Sequence, residues 1–440
     1  MGTNCFAAAV VALLLAAGLA PPALAQDPAT QGFVRVTQPQ VENRAPVRLV
    51  PMNASKAQLK KPFVLVATPE HGPFAHGAWL PAGEYTLVDM ATRDGKPYPP
   101  VTVKAGKLTD MGAWLRVSLG GYEAADITIR HREAERQMAW TILSMKEQVD
   151  AADPIIWAPA EPPKAISVGG SNDTNLGLVA DLLMAYNNKV NRPALNQQLR
   201  EAPTVEEMWR LARFTMKPQT DEGALDDQGN LYYGANLGQL RVRRASGDWG
   251  GIDTGTLEHI TAVEASGAKL VVGTNRGKLL ASSDRGESWY HVASISTDDA
   301  VIDIDHHGDR WFVVGAKYTP QPPNPAGFVN MRNVHEVRLY TSEQLGGLAE
   351  IPQLVSPHAR DLDMLRELAR PNTGMWAGYP ETFSGTFHGS NYYVGALNEL
   401  LRVDAATLAI TALKPPHLIA GFNLSGAAPT ITTFLPAGLR

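Results

Sequence analysis

Residues 268–289 read AKLVVGTNRGKLLASSDRGESW. An apolar strand ends in Gly273, a short polar turn follows, then a second apolar strand and a second turn. The plan recurs in GNLYYGANLGQLRVRRASGDW (229–249), in DRWFVVGAKY (309–318) continued by HEVRLYTSEQLGG (335–347), and in SNYYVGALNELLRVDAATLAITAL (390–413). Gly234, Gly273, Gly315 and Gly395 are equivalent, and they recur at about 40 residues with one double interval. The double interval predicts a degenerate unit around 350–385, containing GMWAGYPETF. Short strands repeating at this length are the signature of four-stranded propeller blades. The expectation is a mainly β fold, with a β-propeller of about five or more blades over residues 221–440.

Within the quoted stretch, Ser282, Asp284, Gly286 and Trp289 fall in the order S-x-D-x-G-x-x-W. Glycine suits a turn position with positive φ. The Asp and Ser side chains accept hydrogen bonds from turn N–H groups, and the indole buries a large apolar surface. Nucleophilic catalysis needs a neighbouring base, which this spacing does not place, so the four residues read as structural. SSDRGESW resembles the Asp-box of bacterial-neuraminidase-repeat propellers in the sialidase-like superfamily, and ASGDWGG (245–251) resembles a decayed copy. The resemblance implies an Asp-box propeller with the box between strands three and four of a blade. Ligands would then meet the opposite end, formed by turns between strands two and three and by links between blades. That end carries Asn236, Asn275, Arg276 and Glu399 from turns, and His259, Asp298 and Asp299 from links. A long loop in the third unit, YTPQPPNPAGFVNMRN (318–333), adds Tyr318 and Arg332, and long loops in compact domains are frequently functional. The candidate binding residues are Asn275, Arg276, Tyr318, Arg332, Asp298 and Asp299.

Upstream, residues 1–25 read as a secretory signal peptide: an apolar run from Phe6 to Ala20, then Pro21-Pro22 and Ala23-Leu24-Ala25. The single cysteine, Cys5, lies inside it, so the mature chain is expected to hold no disulfide, thiol nucleophile or Cys-ligated metal. The Ala-, Gly- and Arg-rich usage points to a bacterial periplasmic or secreted protein. Residues 33–130 alternate apolar and polar side chains between Gly, Pro and Asp turns. There WLPAGEYTLV (79–88) followed by PPVTVKAGKLTDMG (99–112) resembles small β-sandwich modules of the PEGA and transthyretin-like kind. The period then lengthens. REAERQMAWTILSMKEQV (132–149) places Met138, Ile142 and Met145 at helical spacing, and SNDTNLGLVADLLMAYNNK (171–189) and PTVEEMWRLARF (203–214) open with capping residues. Residues 131–220 are expected to form a helical connector.

The 440-residue chain has a formal net charge of −5, which gives no basic surplus for nucleic acid. No stretch after the signal supplies the ~20 apolar residues of a membrane span. DIDHHGD (303–309) and EHGPFAHG (70–77) gather His and carboxylates, yet both read as turns, and neither metal nor cofactor is expected. The sequence lacks G-x-S-x-G, P-loop, dinucleotide and H-E-x-x-H patterns. The function expected is an exported, non-catalytic binding or assembly module that recognises a protein or glycan through propeller loops. The alternative is a sialidase-like glycoside hydrolase. The family resemblance would require of it three converging arginines, drawn from Arg241, Arg276, Arg310, Arg338 and Arg402, with a Tyr–Glu pair and a further acid.

Overall fold

The computed structural model describes residues 27–39, 46–88, 90–120, 123–167, 194–216, 220, 223–296, 299–319, 333–347, 349–350, 385–396, 399–413, 418–423 and 430–434. The segment 1–25 with Cys5, the stretch 171–189, and GMWAGYPETF lie outside them. The chain divides into two compact units, one of residues 1–38, 45–115 and 126–164, the other of 39–44, 116–125 and 165–440.

The first unit packs two sheets. In one, strand Gln31–Thr37 lies between Ala75–Pro81, antiparallel, and Lys107–Ser118, parallel. The other has the order Phe63–Val64, Arg48–Pro51, Gly83–Leu87, Val101–Val103. Val34, Val36, Leu49, Leu80, Leu87, Val101, Val103, Met111 and Trp114 fill the space between them. The Tyr85 hydroxyl donates to Pro81 O at 2.7 Å and closes the Pro-Ala-Gly turn. Burial pushes that phenol up to about 12.

Strand Gln31–Thr37 is buried along its whole length because both its faces are covered. Val34 and Val36 point into the sandwich, while Phe33 packs with Leu108, Met138, Ile142 and Met145 beneath helix Arg132–Ser144. His131 caps this helix, its Nδ1 accepting from Glu133 N at 3.2 Å. On the helix side Arg35, fully buried, donates to Asp110 Oδ1 at 2.7 Å, to Thr37 Oγ1 at 2.6 Å and to Ala134 O at 3.4 Å. Arg130 pairs with the other Asp110 oxygen. Removing one partner of such a pair strands a buried charge. Asp110→Ala should therefore lose about 3–5 kcal/mol of stability, read from urea denaturation, whereas an exposed control such as Asp153→Ala should change little.

The second unit contains helices Ala194–Glu201 and Val205–Ala212, the latter capped by Thr204 Oγ1, which accepts from Glu207 N at 3.1 Å. Among the described residues, four antiparallel four-stranded sheets follow, each in plain meander order. Sheet I comprises Ala224–Leu225, Leu231–Gly234, Gln239–Arg243 and Trp249–Asp253. Sheet II comprises Ile260–Ser266, Lys269–Thr274, Lys278–Ser282 and Tyr290–Ser294. Sheet III comprises Asp299–His307, Arg310–Thr319, Asn333–Ser342 and Ala349–Glu350. Sheet IV comprises Gly385–His388, Asn391–Ala396, Glu399–Asp404 and Ile410–Leu413. A hairpin of Leu418–Asn423 and Thr430–Phe434 comes last. The arrangement is mainly β and propeller-like.

The repeated glycine has a packing cause. A β-carbon at Gly234 would collide with the backbone and side chain of Ile260, and one at Gly273 with the side chain of Val301. Ile260 and Val301 belong to the first strand of the next sheet, so sheets I and II, and sheets II and III, close up at these glycines, whereas the equivalent Gly315 meets Ile295 and Tyr340. Apolar clusters seal these contacts. Leu240, Ile260, Val272 and Leu280 join sheets I and II, Ala262, Val271, Val301 and Val313 join II and III, and Phe312, Val314, Tyr392 and Val403 join III and IV.

Candidate functional site

The turn 282–289 connects strands three and four of sheet II, and its polar groups are consumed locally. Ser282 is fully buried; its Oγ donates to Asp284 Oδ1 at 2.7 Å and accepts from Gly286 N at 2.7 Å and Asp284 N at 3.2 Å. Asp284 Oδ1 also accepts from Ser288 N at 2.9 Å, and Oδ2 from the Ser288 hydroxyl. These bonds, Ser282 and Ser288 first, hold its carboxyl down at about 2. Gly286 has φ 93°, and an added β-carbon would lie 3.0 Å from Ile252 of sheet I. The Trp289 indole donates to Gly286 O at 3.1 Å and packs beside Ile252 and Val263. Arg285 reaches back to Asp227 at 2.9 Å and ties the turn to the first hairpin of sheet I.

Sheet III holds an equivalent turn that the sequence disguises. Ser342 occupies the Ser282 position, since Ser342 opposes Trp311 as Ser282 opposes Leu270. Its hydroxyl accepts from Gln344 N at 3.1 Å, as Ser282 accepts from Asp284 N. Gln344 replaces the aspartate and Gly346 matches Gly286, so only the serine and glycine survive as a signal.

At the other end of the sheets, the link 254–259 folds onto the turns between strands two and three. Thr254 Oγ1 donates to Gly238 O at 2.8 Å, Gly238 N to Glu258 O at 2.6 Å, and Leu237 N to His259 Nδ1 at 3.2 Å. Asn275 and His259 exchange two bonds, Asn275 N to His259 O and His259 N to Asn275 Oδ1, both 3.0 Å. Glu258, buried, accepts from Thr274 Oγ1 at 2.6 Å and pairs with Lys278 Nζ at 2.7 Å.

The expected binding residues that are described sit as follows. Asn275 is 4% exposed and locks the link to the turn. Arg276 is half-buried beside it at the turn's tip, and Asn236 is half-buried on the corresponding turn of sheet I. Asp299 is 1% exposed, with Arg338 Nη1 at 3.7 Å and the Tyr340 hydroxyl at 3.5 Å. Asp298, Arg332 and the side chains of Tyr318 and Glu399 lie outside the described residues. Strand pairing continues to Tyr318–Val334 and Thr319–Asn333, so part of the expected loop is sheet.

No motif announced a third grouping, on the first strands of sheets II and III. Glu264 lies near the backbone N–H groups of Ala265 and His306 and near Asp303. Burial first, and Asp303 second, push its carboxyl up to about 7. Asp303 Oδ1 accepts from Ile304 N at 2.9 Å and Oδ2 from Gly385 N of sheet IV. The Tyr392 phenol, fully buried near Asp305 and Asp303, is raised well above its ordinary value by burial. With no exposed surface, Tyr392 has no path to attack a substrate.

The paired histidines diverge. His306 lies against Trp311 with ring centroids 4.2 Å apart, and His307 stacks on Phe387 at 4.7 Å. His71 sits edge-on to Phe33 at 5.5 Å, and His76 Nδ1 lies 3.3 Å from Phe74 O. Among the described residues no group of three or more His, Cys, Asp or Glu is placed to hold a metal ion. Among them also no helix is long and apolar enough to cross a membrane. Of the five arginines, Arg310 opens strand two of sheet III beside Glu343, whereas Arg276 sits at the opposite, turn two-to-three end of sheet II. Arg241, Arg338 and Arg402 lie on third strands of three different sheets.

The chain matches no protein-family model and no curated protein sequence. Among solved structures it is similar to the computationally designed Ika8 protein, with 12% identity over 49% of this chain and a TM-score of 0.29. It is also similar to YCF48 from Cyanidioschyzon merolae, with 15% identity over 46% and a TM-score of 0.30. A third is the nidogen/laminin complex, with 14% identity over 44% and a TM-score of 0.28. The similarity spans 58%, 59% and 62% of those chains, less than two thirds of each.

Two outcomes follow from this geometry. Ser282→Ala deprives Gly286 N and Asp284 of a buried partner and should cost about 1–3 kcal/mol in urea denaturation. Glu264 carries a pH dependence. Its folded value lies above the ordinary 4.5, so its contribution is full below that pH and is lost as the pH rises through about 7. The protein should be less stable at pH 8 than at pH 5 by about 3 kcal/mol from this group, and Glu264→Gln should flatten that part of the profile.

Proposed function

We propose that the protein is an exported binding or assembly module, an Asp-box-type propeller whose catalytic-looking residues are scaffold. The observation that carries this reading is the turn 282–289. Its Ser and Asp oxygens are engaged by the turn's own N–H and hydroxyl groups, which leaves them no proton to exchange with a substrate. In this reading the link and turn bonds around Asn275, His259 and Glu258 stiffen a rim, and Arg276 at its tip meets a protein or glycan partner. Loops held by a rigid scaffold are the common site of such recognition. The segment 1–25 is read as the export signal, and the first unit as a sandwich of the PEGA or transthyretin-like kind.

A photo-crosslinking residue placed at position 276, and separately at 343 on a turn between strands three and four, tests this in the native host. Adducts with a partner should form from 276 and not from 343. Adducts from 343 alone, or carboxylate-dependent cleavage of a fluorogenic sialoside by the purified protein, would refute the assignment.

A further inference from the structure

The face of sheet I turned away from sheet II, which meets Arg213 at its Gly251 edge, differs in kind from the faces that pack sheet against sheet. Leu225 opposes Leu231, Leu231 opposes Arg243, and Arg243 opposes Trp249, giving one row across all four strands. In the adjacent row Tyr233 opposes Arg241, which opposes Gly251. Side chains alternate along a strand, so the two rows share one face. The other face, with Tyr232 and Val242, is buried with Leu270 and Trp289. On the outward face Leu225 is 63% exposed and Trp249 49%. The Tyr233 and Trp249 rings lie 6.1 Å apart, and the Arg241 guanidinium sits 5.5 Å over the indole. Among the described residues neither Arg241 nor Arg243 pairs with a carboxylate.

Contacts between sheets inside the chain are apolar, as at Leu240–Ile260 and Phe312–Tyr392. A face with two arginines that pair with no carboxylate among the described residues does not suit such a neighbour. Nor does it match the outward face of sheet IV, where Tyr393, Arg402 and Thr411 share a row and Arg402 repeats the positive charge. A two-fold contact with a second copy would set arginine against arginine. Exposed Trp, Tyr and Arg are the residue types that dominate protein interfaces, and a guanidinium fork binds carboxylates in bidentate fashion.

We propose that the face formed by Leu225, Leu231, Tyr233, Arg241, Arg243 and Trp249 docks a partner protein through a segment that combines carboxylates with apolar side chains. The site is separate from the turn-end rim around Arg276, so the two readings fail independently.

The probe is a fluorescein-labelled peptide of Glu, Asp, Leu and Phe, titrated against the full chain at low salt by fluorescence anisotropy. Saturable binding is expected, with Trp249 becoming less accessible to iodide quenching. Arg241→Ala/Arg243→Ala should weaken binding by at least ~10-fold and Trp249→Ala comparably, while circular dichroism and the urea midpoint stay those of wild type. Arg276→Ala should leave the affinity unchanged. The proposal is overturned if a Lys-for-acid peptide binds equally, or if the face variants have no effect. It also falls if Arg276→Ala abolishes binding, if dextran sulfate binds more tightly than the peptide, or if sedimentation shows a dimer that Trp249→Ala dissolves.

Discussion

Successive sheets of the second unit meet where strand two of one crosses strand one of the next, and that crossing leaves no room for a β-carbon at Gly234 or Gly273. The constraint accounts for the glycine in sheets I and II, whereas Gly315 of sheet III faces Ile295 and Tyr340, and it accompanies the apolar contact of neighbouring sheets. The meander order itself sends the turns between strands two and three, together with the links between sheets, to one end. The hydrogen-bonded rim of Gly238, Glu258, His259 and Asn275 is a consequence, because each link must fold back within bonding distance of the preceding turns.

The turn 282–289 solves a complementary problem at the opposite end. A reversal between strands three and four exposes N–H groups that the sheet cannot satisfy. One serine and one aspartate accept from three of them, while the indole covers the adjacent strands. Residue types that suggest chemistry are here a way of closing a turn. Among the described residues the carboxyl group pushed furthest toward neutrality lies elsewhere, at Glu264 on the first strand of sheet II, and its perturbation comes from burial and from Asp303.

What the sequence revealed and what it hid divide along sequence distance. The glycine period, the turn chemistry of Ser282, Asp284 and Gly286, and the Thr204 cap are local constraints that restrict residue type, so they are legible. The Ser342 turn is built the same way but lost its aspartate, leaving too little pattern to recognise. The bond between Asn275 and His259 was not legible, because His259 lies 16 positions away and is brought close only by the link. Arg35 and Asp110, 75 positions apart, pair because strands Gln31–Thr37 and Lys107–Ser118 run parallel, a register no local pattern encodes. The approach of Glu264 to Asp303 and the charged outward face of sheet I were invisible for the same reason.

The most direct test of the account is a double-mutant cycle across the close approach of sheets II and III. Gly273→Ala, Val301→Gly and the double variant would be compared by urea denaturation. If packing at this crossing sets the repeat, Gly273→Ala should lose about 1–3 kcal/mol through overpacking. In that case the double variant should be more stable than the sum of the two single losses, because loss of the whole side chain at 301, Cβ included, makes room for the new methyl group. A neutral Gly273→Ala, or strictly additive losses, would contradict it.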